Sequence, residues 1–369
     1  MVARQDRTRP ATLRTIAEAA NVDMSTVSRV LNGSPEEAAR AASLTTVATI
    51  REVAARLDYR PNPHAKSLRT ARSNLVGVLV PRLSDIVLAM IYEGVEGAAA
   101  RRGLATFVMN TYDRPAEQRA RAEWALSRRV DGLILGDAHS DATFVDEMAA
   151  RKVPFVLVNR HAGDHPSVTC DDYRGGRLVA EHFLHMGHER VGVIAGEEFA
   201  STGLDRTAGF VDRYREAGIE VPAVNSTFDT RGGHQAAEDL LRRRPDVTGI
   251  FAVNDFAAVG ALGALRDACL RPGEDVAIAG YNDTPLAAEL PLPLTSVRSP
   301  MHEMGARALE LLVSILGGGE PVSVRLEPEL VVRASTLPRG QDRIDLASQQ
   351  SGFKDATKQG TRSREPALE

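Results

Sequence analysis

The sequence predicts a small all-α head followed by a two-lobed α/β body. Three observations carry this. Between residues 12 and 57, apolar side chains recur at helical spacing in three short segments. From residue 74 onward, short apolar runs alternate with amphipathic stretches. Between the two lies DYRPNPHAKSLRTARSN (58–74), with two prolines and almost no apolar face.

In the head, TLRTIAEAA places Leu13, Ile16, Ala17 and Ala20 on one helical face, with Thr12 as N-cap. Asn21 follows as the turn residue, because asparagine tolerates a left-handed backbone better than most residues. Asp23 caps a second helix that turns Val27, Val30 and Leu31 inward and Met24, Ser25, Ser28 and Arg29 outward. A third helix over about 46–57 buries Ile50, Val53, Ala54 and Leu57. Pro61 and Pro63 stop it. HAKSLRTA can then form about two helical turns, marginal alone in water, and is read as a linker that becomes a helix only with a partner.

In the body, LVGVLVP, ATFVMNT, DGLILG, PFVLVN, RVGVIAG and GIFAVN are short apolar runs. Stretches such as IYEGVEGAAARR, GGRLVAEHFLHMG and HQAAEDLLRRR separate them. Near-continuous apolar strands alternating with helices predict parallel sheets covered on both faces. There are too many units for one small sheet, so two Rossmann-like lobes with a cleft between them are expected. Ligands in such folds sit beyond the carboxyl ends of the strands. The tail over 341–369 is polar and aperiodic and is expected to be disordered.

The 369 residues are 43% hydrophobic and 25% charged, an ordinary globular composition. No run approaches the roughly 18 apolar residues of a membrane span. The amino terminus reads as no signal peptide, and a cytoplasmic location is expected. Cys170 and Cys269 read as small buried hydrophobes. The net charge of −4 is uneven: residues 1–72 hold 12 Lys and Arg against 7 Asp and Glu. A basic head on an acidic body fits a polyanion-binding module attached to something else.

A helix with an apolar inner face and small polar or donating side chains outside suits a DNA groove. Arginine can fork onto guanine O6 and N7, and serine and threonine can contact bases or phosphates. In a helix-turn-helix, the start of the second helix reaches the base edges. At these residues the chain resembles the lactose-repressor/galactose-repressor (LacI/GalR) transcription regulators. TLRTIAEAANVDMSTVSRVLNG and LDYRPNPHAKSLRT match, followed by GHERVGVIAG, DRTAGF, GIFAVNDFAAVGAL, DVAIAGYND, LTSVRSPMHEMGARALELL and LEPELVVRAST. The match runs in one order over about 12–337.

The resemblance implies a helix-turn-helix DNA-binding domain over 10–60, a hinge helix over 61–73 and a periplasmic-binding-protein-like body over 74–340. It implies an N-lobe of about 74–171 plus 300–328 and a C-lobe of about 172–297 plus 329–340. Met24 and Ser25 match the pair that distinguishes operators, and Arg29 the base-contacting arginine. Thr12, Thr26, Ser28, Asn32, Tyr59 and Asn62 match positions that contact phosphate or support the helix. Ala65, Lys66 and Leu68 match minor-groove residues of the hinge, with Leu68 as a wedge that unstacks a base step. Val87, Leu88, Asn159, Arg206, Phe228, Asn254 and Asn282 match effector contacts. The expected partners are a palindromic operator bound by a homodimer, and a small-molecule effector of sugar type. No membrane partner, cofactor or metal is expected.

The chain also departs from the pattern. SPEEAARAASLTT is about five residues longer than the usual link, and AARAAS would lengthen the second helix or form a loop near phosphate. Glu36 and Glu37 would be unfavourable against DNA. Valine and leucine stand at 87 and 88 where the family often has aromatics. Asparagines stand at 159 and 282 where carboxylates are common. That loss of negative charge leads to the expectation of an anionic or less sugar-like effector. His182, His185 and His188 have i, i+3, i+6 spacing, which invites a metal reading, but the family commonly has a histidine near 182 and Gly-His at 187–188. The P-loop, nucleophile elbow, GxGxxG and HExxH are all missing. The alternative, a solute-binding protein or small-molecule enzyme on the same two-lobed fold, leaves the basic head unexplained.

Overall fold

The computed structural model describes residues 11–59 and 72–336. The chain forms two compact units, one ending at Asn74 and one beginning at Leu75. The hinge candidates Asn62, Ala65, Lys66 and Leu68, and the tail from 341, lie outside the described residues.

The head holds four helices among its described residues: α1 (Leu13–Ala20), α2 (Met24–Asn32), α3 (Pro35–Ala41) and α4 (Leu44–Arg56). Thr12 caps α1 reciprocally with Thr15, each side chain taking the other's backbone N–H. Asn21 ends α1 in the left-handed region, at φ 50°. Asp23 opens α2 by accepting the Ser25 N–H at 2.7 Å. Ile16, Val27, Val30, Ile50 and Val53 form the buried core, and Leu31 packs against it.

Two expectations change here. Residues 34–46 neither extend the second helix nor form a loop. Ser34 accepts the Glu37 N–H, Glu37 accepts the Ser34 N–H, and Pro35 occupies the first turn, so the segment is a separately capped helix. The Glu36 carboxylate accepts from the Ser34 hydroxyl at 2.7 Å. Leu57 lies past the end of α4 and is 39% exposed rather than buried.

The body contains two six-stranded sheets. The first is built from β1 (Leu75–Val80), β2 (Ala105–Asn110), β3 (Gly132–Leu135), β4 (Phe155–Val158), β5 (Ser167–Cys170) and β11 (Val324–Leu326). Its order is β11-β5-β4-β3-β1-β2, all parallel. The second is built from β6 (Val191–Ala195), β7 (Ala223–Asn225), β8 (Gly249–Ala252), β9 (Ala277–Asn282), β10 (Thr295–Arg298) and β12 (Glu329–Val331). Its order is β12-β10-β9-β8-β6-β7, with β12 alone antiparallel.

Helices cover both faces of each sheet. In the N-lobe, α5 (Ile86–Arg101) and α13 (Met301–Leu316) close one core. On the other face lie α6 (Pro115–Ser127) and α7 (Thr143–Ala150). In the C-lobe, α8 (Asp172–His185) and α9 (Ser201–Glu216) bury a cluster of Phe183, Phe210, Tyr214 and Phe251. There α10 (Thr230–Arg243) and α11 (Asp255–Asp267) cover the opposite face, and a short α12 (Pro285–Glu289) follows β9. The backbone passes between lobes after β5, after β10 and between β11 and β12. Cys170 is buried as expected, whereas Cys269 is exposed, in the turn after α11.

Ile50 is fully buried at the centre of the head. Ile50→Ala is expected to destabilise the head by about 2–5 kcal/mol. In the full-length chain, amide hydrogen exchange should accelerate over residues 13–56 while exchange in the body stays unchanged.

Candidate functional site

Two places gather the residues singled out in the sequence. The first is the outer face of α2. Met24 is 54% exposed, and Ser25 and Arg29 are exposed beside it. Ser28 is half-buried on the same face, while Val27 and Val30 face the core. Thr12 is exposed at the start of α1, and its hydroxyl is already occupied as a cap. Thr26 and Asn32 are half-buried, and Tyr59 packs on the head's core.

The second is a cavity of about 430 Å³ between the lobes. Its walls are the loops at the carboxyl ends of β1, β2, β4, β6, β7 and β8, and the end of β9. All seven effector candidates line it: Val87, Leu88, Asn159, Arg206, Phe228, Asn254 and Asn282. Val87 and Leu88 sit in the first turn of α5, which Asp85 caps. Asn254 caps α11 through its Oδ1, and its Nδ2 donates to the Phe228 carbonyl at 2.8 Å. Its side chain therefore fixes the loop that carries Phe228. Asn282 ends β9 at φ 102°, its amide 3.5 Å from the Ser299 hydroxyl.

Arg206 has a more constrained position than a free fork. Its Nε donates to Asp172 at 2.8 Å and its Nη1 to the Val253 carbonyl at 2.9 Å. The guanidinium lies 3.8 Å from the centre of the Tyr281 ring. Both members of the ion pair are about 4% exposed. Burial pushes the Asp172 carboxyl up, and the Arg206 charge opposes that. Glycines make this possible: a side chain at Gly175 would overlap Tyr281, and side chains at Gly176 or Gly209 would overlap the backbone of the facing helix. The DYRGG and DRTAGF motifs thus bring α8 and α9 close enough for Asp172 to meet Arg206.

Sequence reasoning missed much of the cavity's charge. Asp85, Asp113, Glu197 and Asp229 line it, with Arg82 and Arg160. Arg160 is held by Asp113 through two contacts of 2.7 and 3.2 Å. It also sits within 6.0 Å of the Phe199 and Phe228 rings. Burial pushes the Asp85 and Glu197 carboxyls up. Carboxylates from four other loops thus share the cavity with Asn159 and Asn282, while Arg160 is paired with Asp113 and Arg206 with Asp172. One signal was readable: Ser84-Asp85 before the apolar start of α5 is an N-cap signature.

Two of the three histidines of AEHFLHMGH make contacts within the fold. His182 meets the Thr336 hydroxyl at 2.8 Å, and burial pushes it down to about 4. His188 meets the Thr248 hydroxyl at 3.2 Å, and His185 is exposed. No helix among the described residues is long and apolar enough to cross a membrane.

Comparison with known proteins addresses the family and the fold. Residues 12–62 match the model of bacterial regulatory proteins of the lacI family, and residues 180–336 match that of a periplasmic binding protein-like domain. The transcriptional regulator CelR of Thermobifida fusca is 33% identical over 346 residues, covering 89% of this chain and 99% of CelR. The chain belongs to the lacI family. Other members lie at similar distance. The repressor PurR of Pasteurella multocida is 29% identical over 89% of this chain and 99% of its own. A lac repressor dimer bound to operator and the anti-inducer ONPF superposes with a TM-score of 0.81 at 26% identity, covering 89% of this chain and all of that one. A CelR–cellobiose complex gives a TM-score of 0.67 at 30% identity, over 88% and 99% of the two chains. This lacI-family chain is a helix-turn-helix transcription regulator rather than an enzyme, as are these relatives.

Removing one partner of a buried ion pair leaves an uncompensated charge, at a cost of about 3–5 kcal/mol. Asp172→Ala is expected to lower the urea midpoint of C-lobe unfolding accordingly, while the head's hydrogen exchange stays at the wild-type rate.

Proposed function

We propose that the chain is a repressor that binds a palindromic operator as a homodimer and releases or tightens on it when a neutral sugar occupies the interlobe cavity. The observation that carries the DNA half is the outward face of α2, where Met24, Ser25, Ser28 and Arg29 stand clear of the core. Arg29 is the guanine-reading fork, Met24 and Ser25 select the operator, and Thr12, Thr26, Ser28, Asn32, Tyr59 and Asn62 hold the helix on the phosphates. Ala65, Lys66 and Leu68 enter the minor groove, with Leu68 kinking the duplex. A single head contacts few phosphates, and two heads on a palindrome add both affinity and half-site spacing.

The convergence of seven family-matched residues on one cavity supports the effector half. Phe228 offers a flat face for a sugar ring, packed against Gly196. Arg206, Asn254, Asn159 and Asn282 offer donors and acceptors to hydroxyls. Asp85, Asp113, Glu197 and Asp229 suit a polyol, whose hydroxyls donate to carboxylates. CelR, whose structure holds cellobiose, makes that disaccharide the first probe. The sugar acts by binding the two lobe arrangements with different affinity, which is the only way a ligand moves such an equilibrium.

Selection from a random duplex library with the full-length chain is expected to recover a palindrome of roughly 14–20 base pairs. Arg29→Ala should weaken binding to it by about 1–3 kcal/mol and relax one position per half-site. Recovery of no motif, or an equal loss on all sequences, would count against base reading by Arg29. In calorimetry, neutral sugars including cellobiose should give heat, and sugar phosphates and sugar acids none. The reverse pattern would sink the neutral-ligand reading.

A further inference from the structure

The cavity has a seam along one side where the lobes touch directly. From the N-lobe come the loop after β3, with His139 and Ser140, and the loop after β4, with His161. From the C-lobe come Phe199, Ser201 and Asp205, at and before the start of α9. The Ser140 N–H donates to the Phe199 carbonyl at 2.8 Å, and the His161 N–H donates to the Ser201 hydroxyl at 2.9 Å. The His139 ring stacks on Phe199 with centroids 4.3 Å apart. His161 Nε2 stands 2.7 Å from Asp205 Oδ2, the acid–base pair among these four contacts.

We propose that His161 and Asp205 form a clasp that proton uptake closes, so that acidity biases the two lobes toward each other and toward holding the effector. The effect on effector retention rests on the cavity being the effector site. The closure itself does not. The hydrogen bond that His161 donates to the Asp205 carboxylate raises the imidazole above its ordinary value, and burial works against it. Asp172, at the start of α8, favours the charged ring, and Arg325 on β11 opposes it. On its own loop, Arg160 is taken up by Asp113 and His165 by Asp146, and Asp164 is exposed. When the lobes part, the ring loses Asp205 and returns toward about 6.5. The closed form therefore binds more protons. Its advantage is full below the ordinary value and is lost as pH rises through the raised one.

The test reads the lobe-to-lobe distance without ligand. Spin labels are placed on the exposed native Cys269 of the C-lobe and on Ala150→Cys, exposed at the end of α7. Distances are measured by double electron–electron resonance at pH 6.0 and 8.5. The wild-type background should show a longer mean distance at the higher pH, and His161→Gln and Asp205→Asn should show none of that change. In parallel, carbon-13 resonances of the histidines should place His161 above the ordinary imidazole range and drop it in Asp205→Asn. A distance that ignores pH in the wild type, or a pH response that persists in both variants, would overturn the clasp. Cellobiose affinity, measured separately, should fall between pH 6.0 and 8.5 by at most about tenfold for each unit by which closure raises the ring. Because the distances need no sugar, failure of the cellobiose reading is a distinct result.

Discussion

The buried pair of Asp172 and Arg206 sets the terms for the body. Neither charge is tolerable at that depth without the other, so the two helices carrying them must meet at one separation. Glycines at 175, 176 and 209 permit that separation, and Tyr281 fills the space above the guanidinium. The remaining donors of Arg206 are thereby held in fixed orientation at the cavity floor. A fork already committed on one side presents the rest of its hydrogen-bonding capacity with little rotamer entropy left to lose.

Much of this was legible in the sequence. Helical spacing, the Asn21 turn and the caps at Thr12 and Asp23 are local chemistry, and local chemistry is what a sequence displays. The alternation of apolar runs with amphipathic stretches predicted two covered parallel sheets for the same reason. The failures have physical causes too. The separate helix over Pro35–Ala41 announces itself in Ser34-Pro35-Glu36-Glu37, a capping box with proline in the first turn, but its seven residues are too few to display an apolar period. Leu57 has helical spacing yet falls one residue beyond the last turn, where periodicity no longer describes direction.

The cavity's charge was the least legible feature. Asp85, Asp113, Glu197 and Asp229 lie in four different loops, and nothing in their local spacing announces that they share a wall. Electrostatics sums over space, not over sequence, so positions 159 and 282 alone do not set the cavity's charge. The same holds for the seam between lobes: His161 and Asp205 are 44 residues apart and meet only because two strand ends face each other. Arg206 illustrates the middle case. Its identity was readable, but its commitment to Asp172 and Val253 was not.

The interleaved path of the chain has a consequence for how the protein is made. The N-lobe's core needs Met301, Met304, Leu309 and Leu312 from α13, and its sheet needs β11 at 324–326. Both emerge from the ribosome only after nearly all of the C-lobe. At about 5–20 residues per second, the first five strands of the N-lobe wait roughly 8–30 seconds for the helix and strand that seal them. During that interval Val168 and Cys170 on β5 lie at an open sheet edge. The lobe begun first is therefore among the last parts of the molecule to close.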